Sequence, residues 1–163
     1  MKRFKSGCPA TRVVMMPRDT NGMGNIFGGV ILSHIDLAGA VGARHVCSNR
    51  IVTVAMKEVV FKKPVQVGDL LTCWAEVTRV GRTSIEVHVE VEVQRNRDGE
   101  TIPVTEATVT YVAVDEKGRP TPIQLYEGVK VPRRAATRKR CGSCVLKRGS
   151  QARLAARARK PRV

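Results

Sequence analysis

The chain has 163 residues, 42% of them hydrophobic and 26% charged, with only 4% aromatic. That is one domain's worth of sequence with an aliphatic core of Val, Ile, Leu and Ala, and no apolar run reaches the roughly 18 residues of a membrane-spanning helix. The net charge of +15 is concentrated at one end: residues 132–163 hold 12 Lys and Arg and no acid, whereas residues 1–131 hold 17 Lys and Arg against 14 Asp and Glu. A membrane protein, a secreted disulfide scaffold and a wholly disordered chain are all disfavoured by these figures.

Taken in chain order, residues 1–10 form an N-terminal extension. Its Lys2, Arg3 and Lys5 are followed by no apolar segment, so a secretory signal is not expected. Residues 11–16 are β-prone and end at Pro17. A loop rich in turn formers follows, with Asp19, Asn21, Gly22, Gly24 and Asn25, and it closes on Ile26, Phe27, Gly28 and Gly29. From Val30 to about Val46 the sequence is apolar on nearly all sides, with small residues at Ala38, Gly39, Ala40, Gly42 and Ala43. Its length and composition predict a buried helix, approached closely by a sheet wrapped around it.

Strands follow. They are predicted over 51–61, 70–80, 84–93 and 102–114, punctuated by Lys62-Lys63-Pro64, Gly68-Asp69, Gly81-Arg82 and 96–99. Residues 84–93 alternate strictly, with Glu86, His88, Glu90 and Glu92 on one face, the pattern of a half-buried strand. Four such strands in succession predict an antiparallel meander, and the whole predicts an α+β domain over 11–131. Residues 132–163 have too few apolar side chains to offset their ordering entropy and are expected to be a disordered tail.

Five cysteines do not make a closed disulfide framework. Cys8, Cys47 and Cys73 read as buried free thiols in a reducing, cytoplasmic setting. Cys141 and Cys144 form one C-x-x-C without the second ligand pair of a zinc site. His34 and His45 lack the i, i+4 spacing of a metal pair and read as packing residues; no metal is expected.

Two features can carry chemistry. Gly28 and Gly29 stand where a helix begins, so their N–H groups and the helix dipole favour negative charge, including a developing oxyanion. The same glycines also suit a helix start chosen for steric reasons. Asp36 lies two turns into an apolar helix, where a carboxylate is expensive unless it is paired. It reads either as a general base or nucleophile, or as an Asp on an exposed strip or subunit seam. Lys62, Lys63, Arg82, Thr83 and Ser84 are polar clusters at strand ends, open to phosphate binding or to plain solvation.

The run from Met16 to Gly29, with Ile35-Asp36-Leu37-Ala38-Gly39-Ala40, resembles the hotdog-fold acyl-CoA thioesterases of the YciA and cytosolic acyl-CoA hydrolase type. Further matches are Val52-Thr53-Val54, 61–69, Gly81-Arg82-Thr83-Ser84 and 111–115. The likeness covers about residues 11–122. It implies a hotdog fold, an antiparallel sheet of five or six strands around one central helix. It also implies a homodimer with active sites at its interface, built up into a trimer of dimers.

By the same resemblance Asp36 matches the catalytic carboxylate, a general base or a nucleophile, and Asn25 matches a position filled by Asn or Asp in the opposite subunit. The N–H groups of Gly28 and Gly29 match those that polarise the thioester carbonyl. The substrate is then acyl-CoA, and no cofactor is needed beyond its CoA moiety. Lys62, Lys63, Arg82, Thr83 and Ser84 become the expected CoA contacts. Two rival readings stand beside this one: a non-catalytic acyl-CoA sensor, and a thioesterase whose basic tail tethers it to a polyanion.

Overall fold

The structure, a computed structural model, describes residues 8–57, 59–129 and 131. The basic tail lies outside the described residues, as do Cys141, Cys144 and the polyanion-tether reading. The elements are β1 (Thr11–Val14), α1 (Gly28–Arg44), β2 (Arg50–Lys57), β3 (Leu70–Val80), β4 (Ser84–Gln94) and β5 (Thr101–Val114). A 3₁₀ turn at Pro17–Asp19 lies in the loop before α1.

The strands form one antiparallel sheet in the order β1-β3-β4-β5-β2. The expected meander therefore holds only for β3, β4 and β5. β2 does not lie beside β3; it crosses to the far edge and pairs with β5. The reason is the connection over residues 58–69, which carries Pro64 and the left-handed Gly68 (φ 85°) and is far longer than a hairpin loop. β2 also stops at Lys57 rather than Phe61, because the following segment bends away to place the Lys62 N–H on the Val104 carbonyl at 2.8 Å.

β4 follows its alternation. Ile85, Val87, Val89, Val91 and Val93 point into the core, and Glu86, His88, Glu90 and Glu92 form the outer face. α1 packs across β3, β4 and β5. Its buried residues Ile31, Ile35, Ala38, Gly39, Gly42 and Ala43 recur at i, i+4, i+7, i+8, i+11 and i+12, a single stripe. This corrects the expectation of a helix buried on all sides: Leu37 is 57% exposed, and only one face meets the chain's own sheet. Close approach is real on that face. A Cβ at Gly42 would lie 3.0 Å from the Ala75 Cβ, so the glycine lets helix and sheet come together.

The helix also begins two residues earlier than expected, at Gly28. Of the body cysteines, Cys47 and Cys73 are buried, but Cys8 is exposed, because it precedes β1 and has no sheet over it. Burial pushes the Cys73 thiol up to about 11, against a partial lowering by the Thr11 hydroxyl, so it is a core thiol and not a nucleophile at neutral pH.

One buried ion pair ties the sheet end together. Asp69, 2% exposed, pairs with Arg95 and accepts the Gln66 N–H at 2.9 Å, while Arg95 also donates to the Pro64 carbonyl at 2.9 Å. The two residues flank the Leu70–Gln94 pair of the β3–β4 ladder, so the bridge closes that ladder and pins the segment 64–69 to it.

Candidate active site

Asp36 is partly buried on α1, and its carboxylate is held from the sheet. The Thr53 hydroxyl, on β2, donates to Asp36 Oδ1 at 2.7 Å. The Tyr111 hydroxyl, on β5, donates to the Asp36 backbone carbonyl at 2.7 Å and lies 3.4 Å from Oδ1. Tyr111 is 1% exposed. Burial pushes its hydroxyl well above the usual phenol range, and the Asp36 charge and hydrogen bond add to the rise. It is thus a neutral donor at any working pH. Thr53 and Tyr111 lie within the segments that carry the family resemblance, but the sequence alone marks neither for a role. Their signal is a hydroxyl on each of two strands, exposed at Thr53 and buried at Tyr111, visible only once β2 and β5 are known to be neighbours.

Gly39 makes the tyrosine contact possible. A Cβ at this position would stand 2.3 Å from the Tyr111 hydroxyl oxygen. Ala in a helix interior gains about 1 kcal/mol over Gly, whereas overpacking a core costs about 1–3 kcal/mol. Gly39→Ala is expected to lower the melting temperature despite the better helix former, and to displace Tyr111 from Asp36. Thermal denaturation checks it, and a raised melting temperature contradicts it.

The loop before the helix is organised by Asn21, which sequence reasoning passed over. Its Oδ1 accepts the Met23 N–H at 2.9 Å and the Asn25 N–H at 3.3 Å, and its own N–H donates to the Asn25 carbonyl at 2.7 Å. The main chain of Asn25 is therefore clamped. Phe27 N–H bonds to Asp19 O at 2.8 Å, and Ile26 N–H to Val65 O at 2.9 Å, which anchors the loop to the segment held by Asp69. Gly28 and Gly29 are the first two residues of α1, so their N–H groups have no partner within the helix. Only Gly29 has a steric reason as well: a Cβ there would meet the Phe27 ring at 2.3 Å, whereas one at Gly28 would make ordinary contact with the Phe61 ring at 3.4 Å.

These parts do not converge within one chain. Gly28 and Asp36 are eight residues apart on a straight helix, which separates them by about 12 Å along the axis. Among the described residues no hydrogen bond joins Asn25 to Asp36. The expected CoA contacts divide too. Lys62 sits at Val104 of β5, with Nζ on Glu106 Oε1 at 3.1 Å, while the Thr83 carbonyl accepts the Ala113 N–H at 2.8 Å. Nine residues of extended strand put the Lys62-Lys63 pair roughly 30 Å from Arg82, Thr83 and Ser84. They do not form one cluster in a single chain, because they lie at opposite ends of β5. Lys62 also faces the acidic outer sheet, where Glu106 holds it. Neither His34 nor His45 belongs to a metal-binding group of three among the described residues.

A curled antiparallel sheet holding one long helix is the hotdog fold. Residues 23–100 match the thioesterase superfamily model. An acyl-CoA thioester hydrolase of Haemophilus influenzae, otherwise uncharacterised, is 43% identical over 120 residues, 72% of this chain and 78% of that one. The acyl-CoA thioester hydrolase YciA of Escherichia coli K12 is 40% identical over 67% of this chain and 85% of its own. Among solved structures, a hexameric hotdog fold thioesterase of Campylobacter jejuni is 51% identical with a TM-score of 0.69, covering 74% of this chain and 92% of that one. The chain belongs to the thioesterase superfamily, in its hotdog-fold acyl-CoA thioester hydrolase branch.

Proposed function

We propose that the chain hydrolyses acyl-CoA to a free acid and CoA, at active sites shared between two copies of itself. The observation that carries this reading is the separation of Gly28 and Asp36. A thioester carbonyl held on the Gly28 and Gly29 N–H groups must lie about 3–3.5 Å from the attacking atom, not about 12 Å. A second chain brings its own Asp36 to that carbonyl. β2 supports such pairing. Among the described residues it is an edge strand with no partner on its outer side, and Val52 and Val54 on it are 45% and 55% exposed. The exposed Leu37 on α1 adds apolar surface for a partner to cover. A trimer of such dimers is the proposed assembly, in keeping with the hexameric Campylobacter relative. No helix among the described residues is long and apolar enough to cross a membrane, and buried free thiols at Cys47 and Cys73 suit a reducing cytoplasm.

In the reaction Asp36 either takes a proton from water as water attacks the thioester carbon, or attacks that carbon itself to give an anhydride that water then opens. Both routes need one carboxylate oxygen presented to the carbonyl. The carbonyl oxygen gains negative charge, which the Gly28 and Gly29 N–H groups and the dipole of α1 stabilise. Asn25 orients the water or the thioester. The C–S bond then breaks, and a thiolate with a pKa of about 8.5 for a cysteine-like thiol leaves without strong acid assistance.

The test is CoA release from acyl-CoAs of acetyl to palmitoyl length, with Asp36→Asn alongside. The expected result is turnover by the wild type and a loss of about 10²-fold or more in kcat for the variant, with its secondary structure retained. A wild type that binds CoA and releases none is instead a sensor.

A further inference from the structure

The turn that joins β3 to β4, residues 81–84, is held from outside its own hairpin. The Arg82 carbonyl accepts the Ile123 N–H at 2.9 Å, and the Thr83 carbonyl accepts the Ala113 N–H at 2.8 Å. Ile123 belongs to a strap, residues 120–126, that runs back across this end of the domain after β5. The Thr121 N–H donates to the Ala113 carbonyl at 2.9 Å, and the Tyr126 N–H to the Val46 carbonyl at 3.1 Å, just past the end of α1. One side chain clasps the strap. Asn49 Oδ1 accepts the Gln124 N–H at 2.6 Å, and Asn49 Nδ2 donates to the Pro122 carbonyl at 3.3 Å. A primary amide carries both the acceptor and the donor that such a grip needs. It seizes the residues on either side of Ile123, the one that holds Arg82.

The backbone of the turn is fixed, but its side chains are open. Arg82 is exposed, and among the described residues neither its guanidinium nor the Thr83 and Ser84 hydroxyls makes a hydrogen bond or ion pair. A guanidinium beside two hydroxyls is a donor set for phosphate. The turn also stands within reach of the thioester. Ile85 is opposite Tyr111, whose hydroxyl touches Asp36, and Arg82 lies three residues beyond Ile85, roughly 10 Å along an extended chain. A pantetheine arm running from Asp36 can span that distance. Lys62, at the other end of β5, is taken up by Glu106.

We infer that Asn49 is a positioning residue for the CoA moiety: it clasps the strap, the strap fixes the 81–84 turn, and the turn presents Arg82, Thr83 and Ser84 to the phosphates of the substrate. Asn49 itself touches no substrate. Donors fixed before the ligand arrives lose less conformational freedom on binding it. The contribution therefore falls on affinity for the nucleotide end and not on the bond-breaking step at Asp36. The inference rests on the acyl-CoA hydrolase reading given above.

The test compares the assembled wild type with Asn49→Ala on two substrates: a short-chain acyl-CoA, and the matching acyl-pantetheine, which has the same thioester and arm but no phosphate. The expected result is a rise of about five- to tenfold in KM for the acyl-CoA, with kcat within about twofold and the acyl-pantetheine KM within about twofold. A general loosening of the fold would harm both substrates alike. Arg82→Ala is expected to raise the acyl-CoA KM as well, and Asn49→Ala is expected to add less in that background than it does alone, because the two act through one turn. Should Asn49→Ala not assemble, Asn49→Asp keeps the acceptor and loses the donor, with a smaller rise in the same KM expected. The idea fails if the acyl-CoA KM stays within about twofold, if both substrates suffer equally, or if Arg82→Ala leaves the acyl-CoA KM unchanged. Calorimetric titration with CoA reads the same contact without turnover, and a weaker Kd in Asn49→Ala is expected there too. A wild type that hydrolyses neither thioester overturns the hydrolase reading, whatever that titration shows for Asn49.

Discussion

Co-expressing Asn25→Ala chains with Asp36→Asn chains is expected to restore about a quarter of the wild-type rate, although each variant alone is down by about 10²-fold or more. The figure follows from symmetry. In the two-fold dimer proposed above each site would take Asn25 and the Gly28-Gly29 N–H groups from one chain and Asp36 from the other. Half of randomly formed dimers carry one chain of each kind. In such a dimer one site has lost both residues and the other has both intact. Half the dimers with half their sites alive give about a quarter of the rate. If the catalytic parts came from a single chain, every site would lack one residue and mixing would restore nothing. The geometry favours the first result because α1 is rigid: eight residues of continuous helix hold Gly28 and Asp36 about 12 Å apart, and no loop motion closes that gap. The measurement is steady-state CoA release from the co-purified mixture against each homogeneous variant.

What could be read in advance from residue order is what depends on local pattern. β4 is plain because apolar and polar residues alternate without a break from Ile85 to Val93. Asp36 stood out because a carboxylate flanked by Ile35, Leu37 and Ala38 has no reason to be there on hydrophobic grounds. What could not be read depends on which strands are neighbours. The placement of β2 beside β5 is set by the 58–69 connection, whose path no periodicity encodes. Thr53 and Tyr111 are ordinary strand residues until that placement makes them partners on Asp36. That the Lys62-Lys63 and Arg82-Thr83-Ser84 clusters lie at opposite ends of β5 is equally invisible until the strand pairing is known. The helix looked buried all round because pattern does not distinguish a face that meets its own sheet from one left for a second chain. Leu37 on α1 is exposed, and β2 is an edge of the sheet among the described residues.

Asp69→Ala is expected to be the most damaging single substitution away from the site, lowering stability by about 3–5 kcal/mol. Removing the carboxylate leaves the Arg95 guanidinium, only 15% exposed at its side chain, without its counter-charge, and leaves the Gln66 N–H without its acceptor. Water cannot readily replace Asp69, because the group it would replace is 2% exposed. The loss is not the worth of the ion pair. Two charges taken out of water gain little net stability, and the penalty arises from stranding one of them. The double variant Asp69→Leu, Arg95→Met is therefore expected to be closer to wild type than either single change, and the cycle of the three measures the coupling. The effect also reaches the active site. The segment 64–69 that this pair pins supplies the Val65 carbonyl to the Ile26 N–H, one residue from Asn25 and two from Gly28. Asp69→Ala should thus lower kcat even below its melting temperature, where Gly39→Ala would act through Tyr111 instead. Urea unfolding of the assembled protein at fixed concentration, followed by CoA release at the same concentration, separates the two consequences. A stability within about 1 kcal/mol of wild type would mean that Arg95 finds another partner among the carbonyls of the 64–69 segment.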